Sequence, residues 1–181
     1  MNKYQIYEIA GEHNHAGSKA TKDFAEIAKQ MGYEILPVPM RSTKEGKIAK
    51  VQRQIGFFSD WNKVYKNVKE NSVILLQHPF HYHQLTREHI LWKLKKKKHV
   101  KYISLVHDVE ALRKFRYNDY YKHEFETMLA IADIIIVHNQ KMAQYFTEQG
   151  VPSQKLVVLE IFDYLQKHEN HLCPKFEKSI T

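Results

Sequence analysis

The sequence contains little of what several protein classes require. Its single cysteine, Cys173, excludes a disulfide scaffold and a cysteine-rich zinc module. The longest apolar runs, such as Ile134 to Val137, are far shorter than the roughly 20 residues that a membrane-spanning helix needs. The first residues also lack the apolar stretch and cleavage site of a signal peptide. These absences lead us to expect a soluble, cytoplasmic protein.

Apolar side chains, by contrast, are plentiful. Hydrophobic residues make up 43% of the 181 positions, which is enough for a core and excludes a disordered chain. No internal repeat or Gly/Ser-rich linker divides the sequence, and its length is typical of one domain.

The charge is basic, with 28 Lys and Arg against 20 Asp and Glu, a formal net charge of +8. Part of the excess lies in the run Lys93–Lys98, next to Trp92. Such a run fits a solvated helix end, where cations complement the helix dipole. It also fits peripheral contact with an anionic membrane, here the inner membrane face. No nucleic-acid-binding motif accompanies it, so we do not expect nucleic acid as a partner.

Hydrophobic periodicity predicts alternating strands and helices. The first helix is predicted to begin at an N-cap, Ser18, and to end at Gly32, with Met31 on its apolar face. The next helical stripe is Ile48, Val51, Ile55 and Phe58, followed by a separate segment capped by Ser59 or Asp60. Strands are predicted at 4–10, 34–38, 72–77, 101–106, 133–137 and 155–159, and further helices at 84–96, within 109–132, and from Asn139 to Gly150.

This alternation predicts an α/β fold, a Rossmann-like doubly wound parallel sheet. The strand at Val73 to Leu76 is apolar without interruption, as in parallel sheets that helices cover on both faces. Ligands of such sheets bind beyond the carboxyl ends of the strands. The candidate residues are therefore those that directly follow each strand.

Polar residues are frequent in those positions. The loop from Asn14 to Ser18 precedes a helix, whose free backbone N–H groups can bind an anionic or sugar group. His78 and Phe80 follow the third strand, and His107 and Asp108 the fourth. Asp108 suits two roles at once, the N-cap of the next helix and the orientation or activation of a ligand hydroxyl.

Several chemistries lack their sequence signatures. The first loop does not have the three closely spaced glycines of a dinucleotide fingerprint, and neither a P-loop nor a serine-hydrolase elbow occurs. Histidines at 13, 15, 78, 81 and 83 invite a zinc site, but no carboxylate or cysteine spacing completes a ligand set. We therefore predict no metal site.

Five motifs, taken in order, carry a resemblance to a known family. They are Asn14–Ala20, His78-Pro79, Val106–Arg113, Asp133–Asn139 with Met142, and Glu160–Leu165. The set resembles the N-terminal domain of bacterial GT-B glycosyltransferases of the galactofuranosyltransferase and glucosyltransferase-3-like group. Those enzymes build exopolysaccharides or glycosylate serine-rich adhesins.

The resemblance implies a transferase that moves a galactofuranose- or glucose-type sugar from a UDP-sugar to a glycan or glycoprotein acceptor. Residues 1–165 would form the acceptor-side domain, and residues 166–181 a linker into an absent C-terminal nucleotide-sugar domain. The N-terminal domain would bind no cofactor of its own and would be inactive alone.

Within this interpretation, our candidate for the activation of the acceptor hydroxyl is Asp108. Substrate-binding positions would be Asn14, Ala16, Gly17, Ser18, His78, Phe80, His107 and Arg113. The alternative is a non-catalytic binding or assembly module whose basic patch faces a membrane or a partner. Self-association is left open.

Overall fold

The computed structural model describes residues 1–9, 16–41, 46–80, 84–109 and 119–160, and for residues 16–18 the backbone alone. Strands and helices alternate along the chain. The strands are β1 (Lys3–Glu8), β2 (Glu34–Val38), β3 (Val73–His78), β4 (Lys101–Val106), β5 (Ile134–Val137) and β6 (Leu156–Val158). The helices are α1 (Ala16–Gln30), α2 (Lys47–Asn67), α3 (Leu85–Lys98), α4 (Asp119–Ile131) and α5 (Gln140–Glu148), with a short 3-10 helix at Ser153–Lys155.

The six strands form one parallel sheet in the order β2-β1-β3-β4-β5-β6. After β1 the chain crosses to one side to make β2, then returns to the other side of β1 to make β3. The direction of winding therefore reverses between β1 and β3, where a doubly wound sheet opens its ligand crevice. The predicted α/β, Rossmann-like fold class is confirmed.

Two apolar clusters hold the helices on the sheet. One includes Trp61, Leu91 and Tyr102, each less than 1% exposed, and the Tyr102 hydroxyl donates a hydrogen bond of 2.9 Å to the carbonyl of Leu91. The other surrounds Phe146 and Val137, under β4 and β5. Burial of large side chains at roughly 1.5–3 kcal/mol each is the main stabilising contribution.

Several local predictions are confirmed by the described backbone. β2 and β4 have the predicted bounds. Pro37 lies inside β2, which tolerates it because β2 is an edge strand. Gly32 takes a φ of 82° just after α1, a left-handed conformation that favours glycine at a helix end. The Asn139 side chain caps α5 by accepting a hydrogen bond from the Met142 amide at 3.0 Å.

Other local predictions are wrong. α1 begins at Ala16, so Ser18 lies inside its first turn and is not the N-cap. α2 runs unbroken through Ser59 and Asp60, because the Asp60 side chain is buried and pairs with Arg41 instead of capping a new helix. The guanidinium of Arg41 passes over Gly56, where an added Cβ would lie 2.8 Å from its central carbon.

Two sets of apolar residues predicted on helical stripes are exposed. Met31, placed on the core face of α1, is 63% exposed. The α2 stripe, defined as Ile48, Val51, Ile55 and Phe58, is 58–76% exposed. Periodicity identifies one side of a helix, but it does not determine whether another element covers that side.

Some sequence predictions lie outside the described residues. They include Asn14, Arg113, the linker at 166–181 and the last residues of the 1–165 domain. Among the helices that are described, none is long and apolar enough to cross a membrane.

Candidate functional site

The site lies at the carboxyl edge of the sheet, where β1, β3, β4 and β5 end. At the β1–β3 reversal is a small, shallow cleft. It is lined by Ile6, Tyr7, Glu8, Thr21, Gln77, Pro79 and Phe80. Its position is the one in which doubly wound sheets bind ligands.

The first turn of α1 contains Ala16, Gly17 and Ser18. Gln77 connects this helix to β3, because its Nε2 donates a hydrogen bond of 3.2 Å to the carbonyl of Thr21. No acidic side chain lies in the first turn. No negative charge of this turn therefore neutralises the positive end of the helix dipole. That end of the helix suits an anionic or polar ligand group.

One group of polar side chains lies at the ends of β3, β4 and β5. We call it the open half of the edge, and it consists of Gln77, His107, Asp108 and His138. All four side chains are half-buried. His107 Nε2 lies 2.7 Å from Gln77 Oε1, and its ring centroid lies 6.0 Å from that of His138. Asp108 Oδ1 accepts a hydrogen bond of 2.8 Å from the Val109 amide, which orients the carboxylate.

The charge state of His138 depends on this neighbourhood. Burial lowers the pKa of its imidazole below the usual range, and the nearby Asp108 carboxylate opposes that shift only in part. His138 is therefore neutral at neutral pH, and Asp108 does not face an imidazolium from that ring.

A second group of polar side chains lies behind the ends of β1 and β3. We call it the closed half, and it consists of Glu8, His78, Arg87, Tyr120 and Glu124. Arg87 is fully buried on α3, and its Nη1 lies 3.2 Å from Glu8 Oε1. Its Nη2 donates a hydrogen bond of 2.7 Å to the Tyr120 hydroxyl. Glu8 Oε1 also accepts from Gln84 Nε2 at 3.0 Å. The buried cation is thus paired and hydrogen-bonded, as burial requires.

The pKa values in the closed half follow from this pairing. Burial alone would lower the pKa of Arg87, but Glu8, then Tyr120 and Glu124, raise it above its ordinary value. Burial raises the pKa of Tyr120 to about 12, against the opposing effect of Arg87. Arg87 is therefore a permanent cation and Tyr120 a neutral hydroxyl.

Glu124 connects α4 to the end of β3. Its Oε1 accepts a hydrogen bond of 2.6 Å from the Phe80 amide and lies 3.3 Å from His78 Nδ1. Burial raises the pKa of this carboxyl, but His78, Arg87 and the Phe80 amide outweigh burial, and the net pKa is lowered. Glu124 is therefore an anion that fixes the chain just after β3.

The predicted site residues thus fall into two groups. His107 and Asp108 lie together in the open half. His78, 3% exposed, and Phe80, 8% exposed, lie in or against the closed half, although Phe80 also borders the cleft. The Phe80 ring lies 3.9 Å from the central carbon of the Arg87 guanidinium.

Sequence reasoning missed Glu8, Arg87, Tyr120 and Glu124. Glu8 gave the one usable signal, because a carboxylate that ends an otherwise buried strand needs a partner. The partner, Arg87, follows 79 residues later, and nothing local in the sequence connects the two.

The basic run at Lys93–Lys98 is partly engaged within the molecule. Lys95 Nζ donates to the Ile131 carbonyl at 2.6 Å and lies 2.9 Å from Asp133 Oδ2. Lys98 Nζ donates to the carbonyls of Tyr65 and Val68 at the end of α2. These lysines therefore satisfy carbonyls at helix ends, while Lys96 and Lys97 are exposed.

No group of three or more His, Cys, Asp or Glu in the described part of the chain could hold a metal ion. The parallel sheet and the reversal between β1 and β3 define a Rossmann-like α/β domain.

Comparison with protein families identifies the domain more closely. Residues 3–161 match the family model described as glucosyltransferase 3-like, N-terminal domain. The chain belongs to this family, which makes it a glycosyltransferase-related domain. No curated protein matches it in sequence.

Proposed function

We propose that the chain is the acceptor-binding N-terminal domain of a GT-B glycosyltransferase. The enzyme transfers a glucose- or galactofuranose-type sugar from a UDP-sugar to a glycan or glycoprotein acceptor, in exopolysaccharide or adhesin glycosylation. The observation that supports this most is the open half: a half-buried carboxylate and two imidazoles at the carboxyl edge of a glucosyltransferase 3-like domain.

In the proposed reaction Asp108 is the base. The acceptor hydroxyl oxygen attacks the anomeric carbon of the donor, and the bond from that carbon to the UDP oxygen breaks, with its electrons leaving on UDP. The hydroxyl proton passes to the Asp108 carboxylate. A neutral His138 favours this role, because an imidazolium in its place would pair with Asp108 and weaken it as a base.

The remaining predicted residues serve binding. The first turn of α1, with Ala16 to Ser18, would approach the donor phosphates from the positive end of the helix. His107, fixed by Gln77, would border the acceptor. His78 and Phe80 would support this surface from behind, through Glu124 and Arg87.

Asp108→Asn tests the proposal in the protein that contains this domain. Asparagine can still accept the Val109 amide hydrogen bond, so the variant removes the charge and keeps this contact. We expect the rate of sugar transfer from UDP-glucose or UDP-galactofuranose to fall by about 10²–10⁴-fold, the typical contribution of a general base. The thermal unfolding temperature should be unchanged.

Asp119→Asn is the matched control, because Asp119 is an exposed aspartate in the first turn of α4. It should transfer sugar at the wild-type rate. Wild-type turnover in Asp108→Asn would refute the assignment of Asp108. Absence of nucleotide-sugar-dependent transfer by the wild-type protein would instead favour the non-catalytic binding module.

A further inference from the structure

The α2 stripe is an apolar surface that nothing in the described structure covers. Ile48 is 76% exposed, Val51 59%, Ile55 63% and Phe58 58%. Soluble domains expose single apolar side chains routinely, but a contiguous row of four is a sign of an interaction surface. Leu85, 67% exposed, begins α3 beside it, since its amide donates to Gln54 Oε1 at 3.2 Å.

α2 has a second apolar row, which is buried. Phe57, Trp61 and Val64 face the first core cluster. At about 100° per residue, the buried row and the exposed stripe are centred roughly 130° apart around the helix. The exposed stripe is therefore not a frayed margin of the core, because it lies on the opposite side of the same helix.

Cations accompany the stripe without anions. α2 contains Lys47, Lys50, Arg53, Lys63 and Lys66, and its one acidic residue, Asp60, is buried and paired with Arg41. Lys47 and Lys66 are exposed. Lys47 lies beside Ile48, just beyond the edge of the stripe, whereas Lys66 lies on the same side of the helix about 12 Å beyond Phe58, at the end of α2 that meets Lys98. The outer face of α2 is therefore apolar along the first half of the helix and positive at its two ends.

An apolar stripe accompanied by cations indicates which kind of partner can bind this face of α2. A two-fold contact with a second copy would place these lysines opposite the same lysines, with no acidic residue on the outer face of α2 to offset them. An anionic bilayer complements both features, because its acyl chains can pack against the stripe and its negative headgroups can pair with the lysines at the two ends of α2. We propose that α2 is an interfacial helix that lies in the surface of an anionic membrane, with the α2 stripe in the acyl boundary.

The surface differs from the basic run on α3. α2 and α3 run side by side: Gln54 meets Leu85 at the start of α3, and Tyr65 meets Lys98 at its end. The stripe therefore lies toward the carboxyl edge of the sheet, where the candidate site opens, and the basic run lies at the far end. Membrane contact through α2 would hold that edge close to the lipid.

Flotation of the 181-residue chain with lipid vesicles tests the proposal. One vesicle set is phosphatidylcholine alone, and the other contains phosphatidylglycerol as well. We expect co-flotation with the anionic vesicles only, weakened by added salt because the lysine contacts are screened. Ile48→Ser with Phe58→Ser, and separately Lys47→Glu with Lys66→Glu, should each reduce the partition coefficient by about tenfold or more.

Two controls locate the contact. Met31→Ser removes an equally exposed apolar side chain from the turn after α1, and Lys96→Glu with Lys97→Glu reverses the exposed part of the basic run. Both variants should float as the wild type does. Circular dichroism checks that each variant is folded. All four substituted positions on α2 are exposed, so folding should be retained.

Three results would overturn the proposal. The first is absence of binding to anionic vesicles. The second is loss of binding in the Lys96 and Lys97 variant with the α2 variants unaffected. The third is a wild-type dimer in analytical ultracentrifugation that the Ile48 and Phe58 variant abolishes, which would assign the stripe to a second copy.

Discussion

The two halves of the carboxyl edge use polar side chains in different ways. In the closed half, Arg87, Glu8 and Glu124 are buried and bind one another or the backbone. In the open half, His107 and Asp108 stand at the end of the neighbouring strand but remain half-buried. The two halves are joined through β3, where Gln77 belongs to the open half and His78, the next residue, to the closed half.

Under the proposed function, this difference separates residues that support the fold from residues that act on a ligand. The buried charges of the closed half are paired within the protein, and such pairs contribute to the fold. A half-buried carboxylate beside a neutral imidazole can reach both solvent and substrate. Proximity to the sheet edge is therefore insufficient to identify a binding residue, and burial together with pairing distinguishes the two cases.

The largest expected effect concerns the closed half. Arg87→Met leaves Glu8 buried without its cation, so we expect the free energy of unfolding to fall by about 3–5 kcal/mol, as measured by urea denaturation. Lys101→Met is the control, because Lys101 is 69% exposed and lies 3.5 Å from Asp133. Its loss should be below about 1 kcal/mol. Equal losses in the two variants would contradict the distinction.

A smaller effect is expected at Glu124. Glu124→Gln should reduce the free energy of unfolding at pH 7 by about 1–3 kcal/mol, because a charged acceptor is replaced by a neutral one beside the Phe80 amide and His78. Glu126→Gln, on an exposed position of the same helix, should change it little.

The effect at Glu124 should also depend on pH. The folded state lowers the pKa of Glu124, so its stabilisation is present above the unfolded-state pKa and is lost as pH falls through the lower, folded value. The difference between wild type and Glu124→Gln should therefore persist down to about pH 4.5 and shrink below it. A difference that is constant down to pH 3 would show that the charge of Glu124 is unimportant.

The smallest effect concerns the open half. The pKa of His138, measured from its ring resonances by NMR, should lie below the usual value of about 6.5, because burial disfavours the imidazolium. Stability should fall as pH drops from about 6.5 to the lower, folded pKa of His138. In that interval the unfolded chain binds the proton and the folded chain does not. Asp108→Asn should lower the His138 pKa further, and Asp119→Asn should leave it unchanged. A higher pKa in Asp108→Asn would contradict the placement of these two groups.

Local patterns were sufficient to predict the sheet. The bounds of β2 and β4 agree with those predicted from their sequence. Gly32 ends α1 because its backbone tolerates a positive φ, and Asn139 begins α5 because its side chain caps the helix. Asp108 and His107 were predicted at the edge because each follows a strand directly. These inferences need only neighbouring residues.

Contacts between distant residues could not be predicted in this way. Glu8 pairs with Arg87, and Phe80 binds Glu124 across 44 positions, and no local pattern selects those partners. Asp60 lies within the unbroken helix α2 and pairs with Arg41, a partner that is distant in the sequence. The exposure of the α2 stripe is likewise a property of what packs against the helix, not of the helix itself.

Sugar transfer by Asp108→Asn and Glu124→Gln, measured side by side at a temperature where both are folded, tests the division of roles most directly. We expect Asp108→Asn to keep its stability and lose about 10²-fold or more in transfer rate. Glu124→Gln should lose stability and retain transfer within a few fold. The reverse pattern, with transfer lost in Glu124→Gln and preserved in Asp108→Asn, would place the chemistry in the closed half and contradict this account.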